Sequence, residues 1–315
     1  MHQFNEHHPE FKGFSEYFHS EIAPKLSERE GDRGEALART HLWGSVAAAI
    51  VGAIAFAFAW SRPELDQKAY LFVYVIALPF FAYQLVRRIL LRQVSRHTKS
   101  TLVRGVFEFL GWSFQPEIKD FDHSAWVNAH LVPMRRIIAK SFEDYVSGEA
   151  HGATFQSVEA KLERQSGRSR KTVFQGQLMW LTFDRPLGMG RTVVIRDKGV
   201  FNMKNIGMKR VGLVDPVFER IFEAYSTDQV GARVVLDPAF MQRMVDLETY
   251  LNGGNIRFAF EDQTVLIAVE TSNRYEAGSM SSRLDDPARA QRILNEVGAI
   301  FDIVDTLFDR TRKIT

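Results

Sequence analysis

LWGSVAAAIVGAIAFAFAW, residues 42–60, holds no charged side chain, in a chain whose mean hydropathy is only −0.17. As a helix rising about 1.5 Å per residue it reaches roughly 28 Å, close to the thickness of a bilayer's hydrocarbon core. Trp43 and Trp60 stand near its ends, where an indole keeps its ring in the apolar layer and its N–H near water. A second uncharged run, AYLFVYVIALPFFAYQLV at 69–86, follows after the link SRPELDQK. Two long runs so closely joined predict an antiparallel transmembrane hairpin, because the short link obliges the second helix to return. Pro79 interrupts the second run and predicts a kink there. A signal peptide does not fit, since the first run starts late and leads straight into another.

Orientation follows from the basic residues near the run ends. Lys25, Arg29, Arg33 and Arg39 precede the first run, and Arg87, Arg88, Arg92, Arg96, Lys99 and Arg104 follow the second; the link holds Arg62 and Lys68. The excess of Lys and Arg outside the link predicts that both termini are cytoplasmic. Gly44, Ala48 and Gly52, spaced by four, predict a close-packing face between the two spans or between protomers.

Composition bounds the rest. A length of 315 residues suggests about two domains. With 40 Lys and Arg against 38 Asp and Glu, the formal charge is +2, so no dedicated nucleic-acid surface is implied. The chain has no cysteine, which excludes disulfides, thiolate metal sites and cysteine nucleophiles.

Ahead of the hairpin, in 1–41, Phe11, Phe14, Phe18 and Ile22 recur at helical spacing. This stripe, with Pro24 bending or ending it, is expected to dock on the cytoplasmic domain and not to lie in the membrane interface, since its polar side is largely acidic. Residues 87–116 read as a basic stalk helix running to about Gly111. In 117–315 the texture changes to short β-branched or aromatic stretches such as ATFQSVEAKLER, TVFQGQLMWLTF, RTVVIRDKG and TVLIAVETS, interspersed with the helical patterns HSAWVNAHLV, DPVFERIFEAY, PAFMQRMVDLETYL and DDPARAQRILNEVGAIFDIVDTLFDRTR. In the last of these, Ile293, Val297, Ile300, Val304 and Leu307 mark one face. Strands and helices without a repeated βα rhythm predict an α+β domain with an antiparallel sheet.

At SFEDYVSGEAHGATFQSVEAKLE, KTVFQGQLMWLTF and above all VFERIFEAYSTDQVGARVVLDPAFMQRM, the chain resembles the bacterial domain-of-unknown-function family numbered 3137. The resemblance extends along nearly the whole chain: an aromatic N-terminal helix, two spans, a lysine-bearing stalk at HTKSTLV, then the α+β region. The family pattern usually has Glu where this chain has Gly231. The resemblance implies this topology in a bacterial inner membrane and supplies no activity.

No residue pattern stands out as catalytic, cofactor-binding or metal-ligating. His2, His7, His8 and His19 lack the spacing of a ligand set and read as a solvated end. Asp144 with Glu159 and Lys161 imitates a nuclease triad, but the alternation of Phe155, Val158, Ala160 and Leu162 against Glu159, Lys161 and Glu163 is what a half-buried strand needs. GMGR at 188–191 reads as a hairpin turn. One polar group merits attention: Ser226, Asp228, Gln229 and Arg233. Ser226 and Gln229 match a capping box, Asp228 falls in the first turn, and Arg233 shares a face with Gln229 and is expected to pair with Glu219 or Glu223.

These features point to a membrane-anchored cytoplasmic binding or assembly module, with the lipid bilayer and another membrane or cytoplasmic protein as partners. A membrane-tethered enzyme acting on an anionic or lipid-derived substrate, near Arg233 or the stalk, is the alternative. A transport accessory subunit is a third reading; the uncharged spans offer no ion path of their own.

Overall fold

The computed structural model describes residues 3–6, 8–61, 71–133, 137–196, 207–250, 255–271, 275 and 278–311. The link residues Arg62 and Lys68, and His2 and His7, lie outside them. The chain is α+β and forms two compact units, one of residues 1–106 with 276–293, the other of 107–275 with 294–315. The helical unit thus takes in a C-terminal segment that the linear reading assigns to the sheet domain.

In the helical unit, α1 (Phe14–Tyr17), a π-helical turn (Phe18–Ile22) and α2 (Ala23–Ser27) form one continuous segment. Phe11, Phe14, Phe18, Ile22 and Leu26 are all buried. Phe4 packs edge-on against Phe14 and Phe18, each at 5.0 Å. The stripe docks within its own unit, on the stalk helix, where Gly105 leaves room for Ile22: a Cβ on Gly105 would lie 2.7 Å from Ile22 Cδ1. Of the two outcomes expected of Pro24, bending or ending, it does not end the segment: the helix changes from π to α geometry beside it. The wider turn ahead of it relieves the clash and the missing N–H that a proline brings to an α-helix.

Next come α3 (Glu30–Trp60) and α4 (Leu78–Phe109), the latter preceded by a π-helical stretch, Leu71–Ala77. Pro79 sits at the point where π gives way to α, so the expected interruption takes the form of a change in helix type. Two helices, Glu30–Phe58 and Tyr74–Phe109, are long and apolar enough to cross a membrane, and their most apolar windows are only 11% and 6% buried. Gly44 faces Tyr83, and Gly52 faces Pro79 with 3.4 Å between a built Cβ and the proline Cγ. Ala48, on the same stripe, is half-buried.

The segment 278–286 is tied to the start of α3. Glu30 accepts from Arg33 and from the Leu284 amide, Arg33 Nη1 donates to the Met280 carbonyl at 2.9 Å, and Ser27 Oγ donates to Asp285 at 3.0 Å. Arg289 is buried and donates to the carbonyls of Arg283 at 2.7 Å, Ser282 at 2.8 Å and Ser279.

The second unit is built on a nine-stranded antiparallel sheet of order β1-β2-β3-β4-β9-β8-β5-β7-β6. Its strands are β1 (Ser113–Glu117), β2 (Ile137–Ala150), β3 (Ala153–Ser166), β4 (Ser169–Phe183), β5 (Thr192–Arg196), β6 (Lys209–Arg210), β7 (Phe222–Ser226), β8 (Arg257–Glu261) and β9 (Thr264–Glu270). Its helices are α5 (Ser124–Asn128), α6 (Pro216–Ile221), α7 (Gln229–Val235), α8 (Pro238–Tyr250) and α9 (Pro287–Thr311), whose first turns are counted with the helical unit. Three long strands, β2 to β4, dominate the sheet, and hydrophobic residues cover both of its faces. On one face Trp126 of α5 packs with Phe142, Val158, Ala160, Leu162, Phe174 and Leu178, its indole donating to the Ile267 carbonyl at 2.9 Å. On the other, Phe155 meets Trp112, which meets Phe301 of α9, and Phe260 meets Phe240 of α8. Phe155 therefore does not share a side with Val158, Ala160 and Leu162, as period-two parity requires. Ile293, Val297, Ile300 and Val304 are buried; the Leu307 side chain lies outside those described.

Two elements differ from the sequence pattern. FEAY, expected to continue a helix, is strand β7, because α6 stops at Ile221 and Phe222 adopts extended geometry. The GMGR segment is not a hairpin turn: β4 pairs with β9, and β5 with β8 and β7, so residues 184–191 form a crossover. Its glycines do supply positive φ, +70° at Gly188 and +57° at Gly190.

Candidate functional site

The polar residues singled out from sequence divide into two pairs. Ser226 ends β7 and is buried beside Thr192 of β5. Thr192 Oγ1 lies 2.7 Å from the Met189 carbonyl and 2.8 Å from Ser226 Oγ, and the Asp228 amide donates to Ser226 Oγ at 2.9 Å. The helix cap is Asp228, not Ser226: its carboxylate accepts from the amides of Val230 and Gly231, both at 3.0 Å. The capping-box reading fails because the strand runs to Ser226, so the helix begins two residues later than that motif needs.

This corner is filled. A Cβ on Gly190 would lie 2.9 Å from Asp228 Cβ, and one on Gly231 would lie 2.5 Å from both Asp228 Oδ2 and the Gly188 carbonyl. Gly231 therefore stands where the crossover backbone presses on the cap, and no larger residue fits this arrangement. The pair Ser226 and Asp228 joins crossover, sheet and helix.

Gln229 and Arg233 point elsewhere. Gln229 Nε2 donates to the Arg210 carbonyl at 3.0 Å, and Arg233 Nε to the Gly212 carbonyl at 3.3 Å. Four residues apart on α7, they clip an extended segment at carbonyls two residues apart. Arg233 is exposed and has no ion pair among the described residues. The expected carboxylate partners are engaged elsewhere: Glu219 accepts from the Leu213 amide, and Glu223 from Tyr225, with Arg210 at 3.7 Å.

The other sequence candidates do not converge. Asp144 is buried at a bulge of β2 with φ +52°, whereas Lys161 is exposed and pairs with Glu163 at 3.0 Å. His8 and His19 lie against Phe11 and Phe18. Among the described residues no three His, Asp or Glu side chains are grouped to hold a metal.

A groove of ≈ 380 Å³ that the sequence reading missed lies inside the helical unit. Arg29, just ahead of the first long helix, and Asp32, Glu35 and Arg39 within it face Ile89, Val94 and His97 of the second across it, with Leu284 closing one side. Its volume is in the range of ligand pockets, and its lining combines apolar with charged side chains. Arg39 is held by Glu35 at 3.0 Å. The signal was present as helical spacing, 29-32-35-39 against 89-93-97, but two faces meet only once the helices are paired.

Two histidines have lowered pKa values. Burial, reinforced by Lys140, lowers the pKa of His123, whose ring lies tilted 5.6 Å from that of Phe142. Burial and Arg191 lower that of His130.

Residues 172–308 match the family described as "Protein of unknown function (DUF3137)". The match covers the C-terminal part of the chain. The DUF3137 match runs from β4 to the last helix and includes the Ser226–Asp228 corner and the α7 clip, so the features it covers are those that hold the sheet unit together. No curated protein matches the chain. A solved structure, the crystal structure of the mycobacterial trehalose monomycolate transport factor A, TtfA, is similar over 67% of this chain and 94% of that one, with 14% identity and a TM-score of 0.33.

Proposed function

We propose that the chain is a membrane-anchored binding or assembly module, whose helical hairpin crosses a bacterial inner membrane and leaves both ends on the cytoplasmic side. The observation that carries this reading is the outward face of the two long helices. Trp60 is 79% exposed, Ile54 and Phe81 each 65%, and Leu85 60%, along helices that bury little of themselves. A continuous apolar surface of this kind is unfavourable in water, whereas lipid tails cover it without cost.

The same helix then changes character. Beyond Phe81 and Leu85, Arg88, Arg92 and Arg96 follow at four-residue steps, all exposed, about 6 Å apart along the axis. Arginines so placed suit the headgroup layer on the cytoplasmic side. The groove lined by Arg39 and Ile89 then lies next to the membrane surface, where a partner protein or an amphiphile meets both its apolar and its charged side chains.

The chain has no native cysteine, so single cysteines report topology directly. In spheroplasts, an impermeant thiol reagent labels Ser61→Cys and spares Thr315→Cys until the membrane is opened. The opposite pattern, or release of the protein by alkaline carbonate, removes the hairpin reading.

A further inference from the structure

The β3–β4 hairpin ends in RQSGRSRK, residues 164–171, and every residue of this tip is exposed. Arg164, Arg168, Arg170 and Lys171 carry four positive charges with no acid among them. None of the four has an ion pair among the described residues, and Glu163, the adjacent acid, is engaged by Lys161 at 3.0 Å. The tip is ordered by its own hydrogen bonds: Ser169 Oγ donates to the Ser166 carbonyl at 3.1 Å, and Gln165 Nε2 to the Gly167 carbonyl at 2.8 Å. Gly167, at φ +60°, takes the first central position of a two-residue turn, where glycine is favoured.

The register places Arg164 directly opposite Lys171, and Gln165 opposite Arg170. Like charges directly across a strand pair weaken the pairing. The finger therefore holds a repulsion that no ion pair among the described residues relieves, and a negative surface laid against it would relieve it.

We propose that this finger docks on an anionic lipid surface. Between Arg164 and Thr172 there is no aromatic or aliphatic side chain. Single-stranded nucleic acid is held by rings on which bases stack, and a protein partner by a desolvated anchor in a pocket; the tip offers neither. An anionic leaflet presents diffuse charge and asks only for several mobile cations within a Debye length, which four long side chains on a polar turn provide. The proposal rests on the membrane anchorage given above, which keeps the finger at high effective concentration near a bilayer.

The test uses the full chain in bilayers of phosphatidylcholine alone or with phosphatidylglycerol, carrying a fluorophore at Ser166→Cys or, separately, at the exposed span position Ala53→Cys. Headgroup spin-labelled lipid quenches the Ser166 probe in phosphatidylglycerol bilayers and several-fold less in phosphatidylcholine. High salt, or the combined substitution Arg164→Gln, Arg168→Gln, Arg170→Gln and Lys171→Gln, abolishes the difference. Quenching of the Ser166 probe that is insensitive to phosphatidylglycerol and to the four substitutions overturns the proposal. So does a finger-dependent binding of fluorescent single-stranded RNA with no response to phosphatidylglycerol. The Ala53 probe, quenched by acyl-chain spin label in both bilayers, reports the span separately: its failure removes the anchorage while the Ser166 readout still decides the finger.

Discussion

A Cβ placed on Gly44 would lie 2.6 Å from Cδ2 and 2.8 Å from Cε2 of Tyr83, whose hydroxyl lies 3.1 Å from Nδ1 of His41. The ring is held at both ends of its reach, so the small residue opposite it lets the two long helices approach. Gly44→Ala must displace the ring. We expect a loss of about 1–3 kcal/mol from overpacking, set against up to about 1 kcal/mol gained in helix propensity. Gly52→Ala, with 3.4 Å to Pro79, keeps or raises stability. Thermal unfolding of the full chain in detergent compares the two; equal midpoints would remove Gly44 from the packing face.

The α7 cap gives a second test. Asp228→Ala leaves the amides of Val230 and Gly231 without their acceptor, and should cost about 0.5–2 kcal/mol. Urea unfolding with an unchanged m value measures it. A loss no greater than that of Gln229→Ala, whose amide makes a single exposed hydrogen bond, would show that the cap contributes nothing.

Arg233 is expected to matter little. A pairing with Glu219 or Glu223, as expected from the sequence, would imply a loss of about 1–3 kcal/mol on truncation. The structure gives it one exposed bond to a carbonyl, so Arg233→Ala should stay within about 0.5 kcal/mol of wild type. A larger drop in the urea midpoint would show a partner that this arrangement lacks.

Arg289 is the contrasting arginine. Buried, and donating to three loop carbonyls, it holds 279–283 in place. Arg289→Ala strands those acceptors, each worth about 1–3 kcal/mol when left unsatisfied and dry. Arg289→Lys should rescue poorly, since an ammonium lacks the planar fork. Limited proteolysis at 278–286 should therefore accelerate in both variants, and lysine restoring full protection would refute the fork.

Acid should weaken the sheet unit through His123. Its folded pKa is lowered, chiefly by burial and then by Lys140, so both folded and unfolded states are neutral above the ordinary value of 6.5. As pH falls below 6.5 the unfolded chain takes the proton first, and stability declines until the folded pKa is reached. His130, lowered by burial and Arg191, acts in the same direction. The pH slope of the unfolding midpoint should be shallower in His123→Gln; an identical slope would show that another group sets it.

Sequence alone determined the two long apolar helices, their short connection, the buried stripe Phe11, Phe14, Phe18 and Ile22, and the α+β character of the C-terminal region. Each is a repeating local property, apolar length or period, that one segment carries by itself. Tertiary structure decided what depends on two distant segments meeting. Strand order made GMGR a crossover and not a turn, because pairing partners are chosen by long-range contacts that no local signal encodes. Packing around Phe222 turned FEAY into a strand despite its helical pattern. Glu219 and Glu223 were drawn from Arg233 to other donors, since a side chain's partner is set by which backbone passes beside it. The groove between the first and second long helices exists only once the helices pair, for each contributes part of its wall.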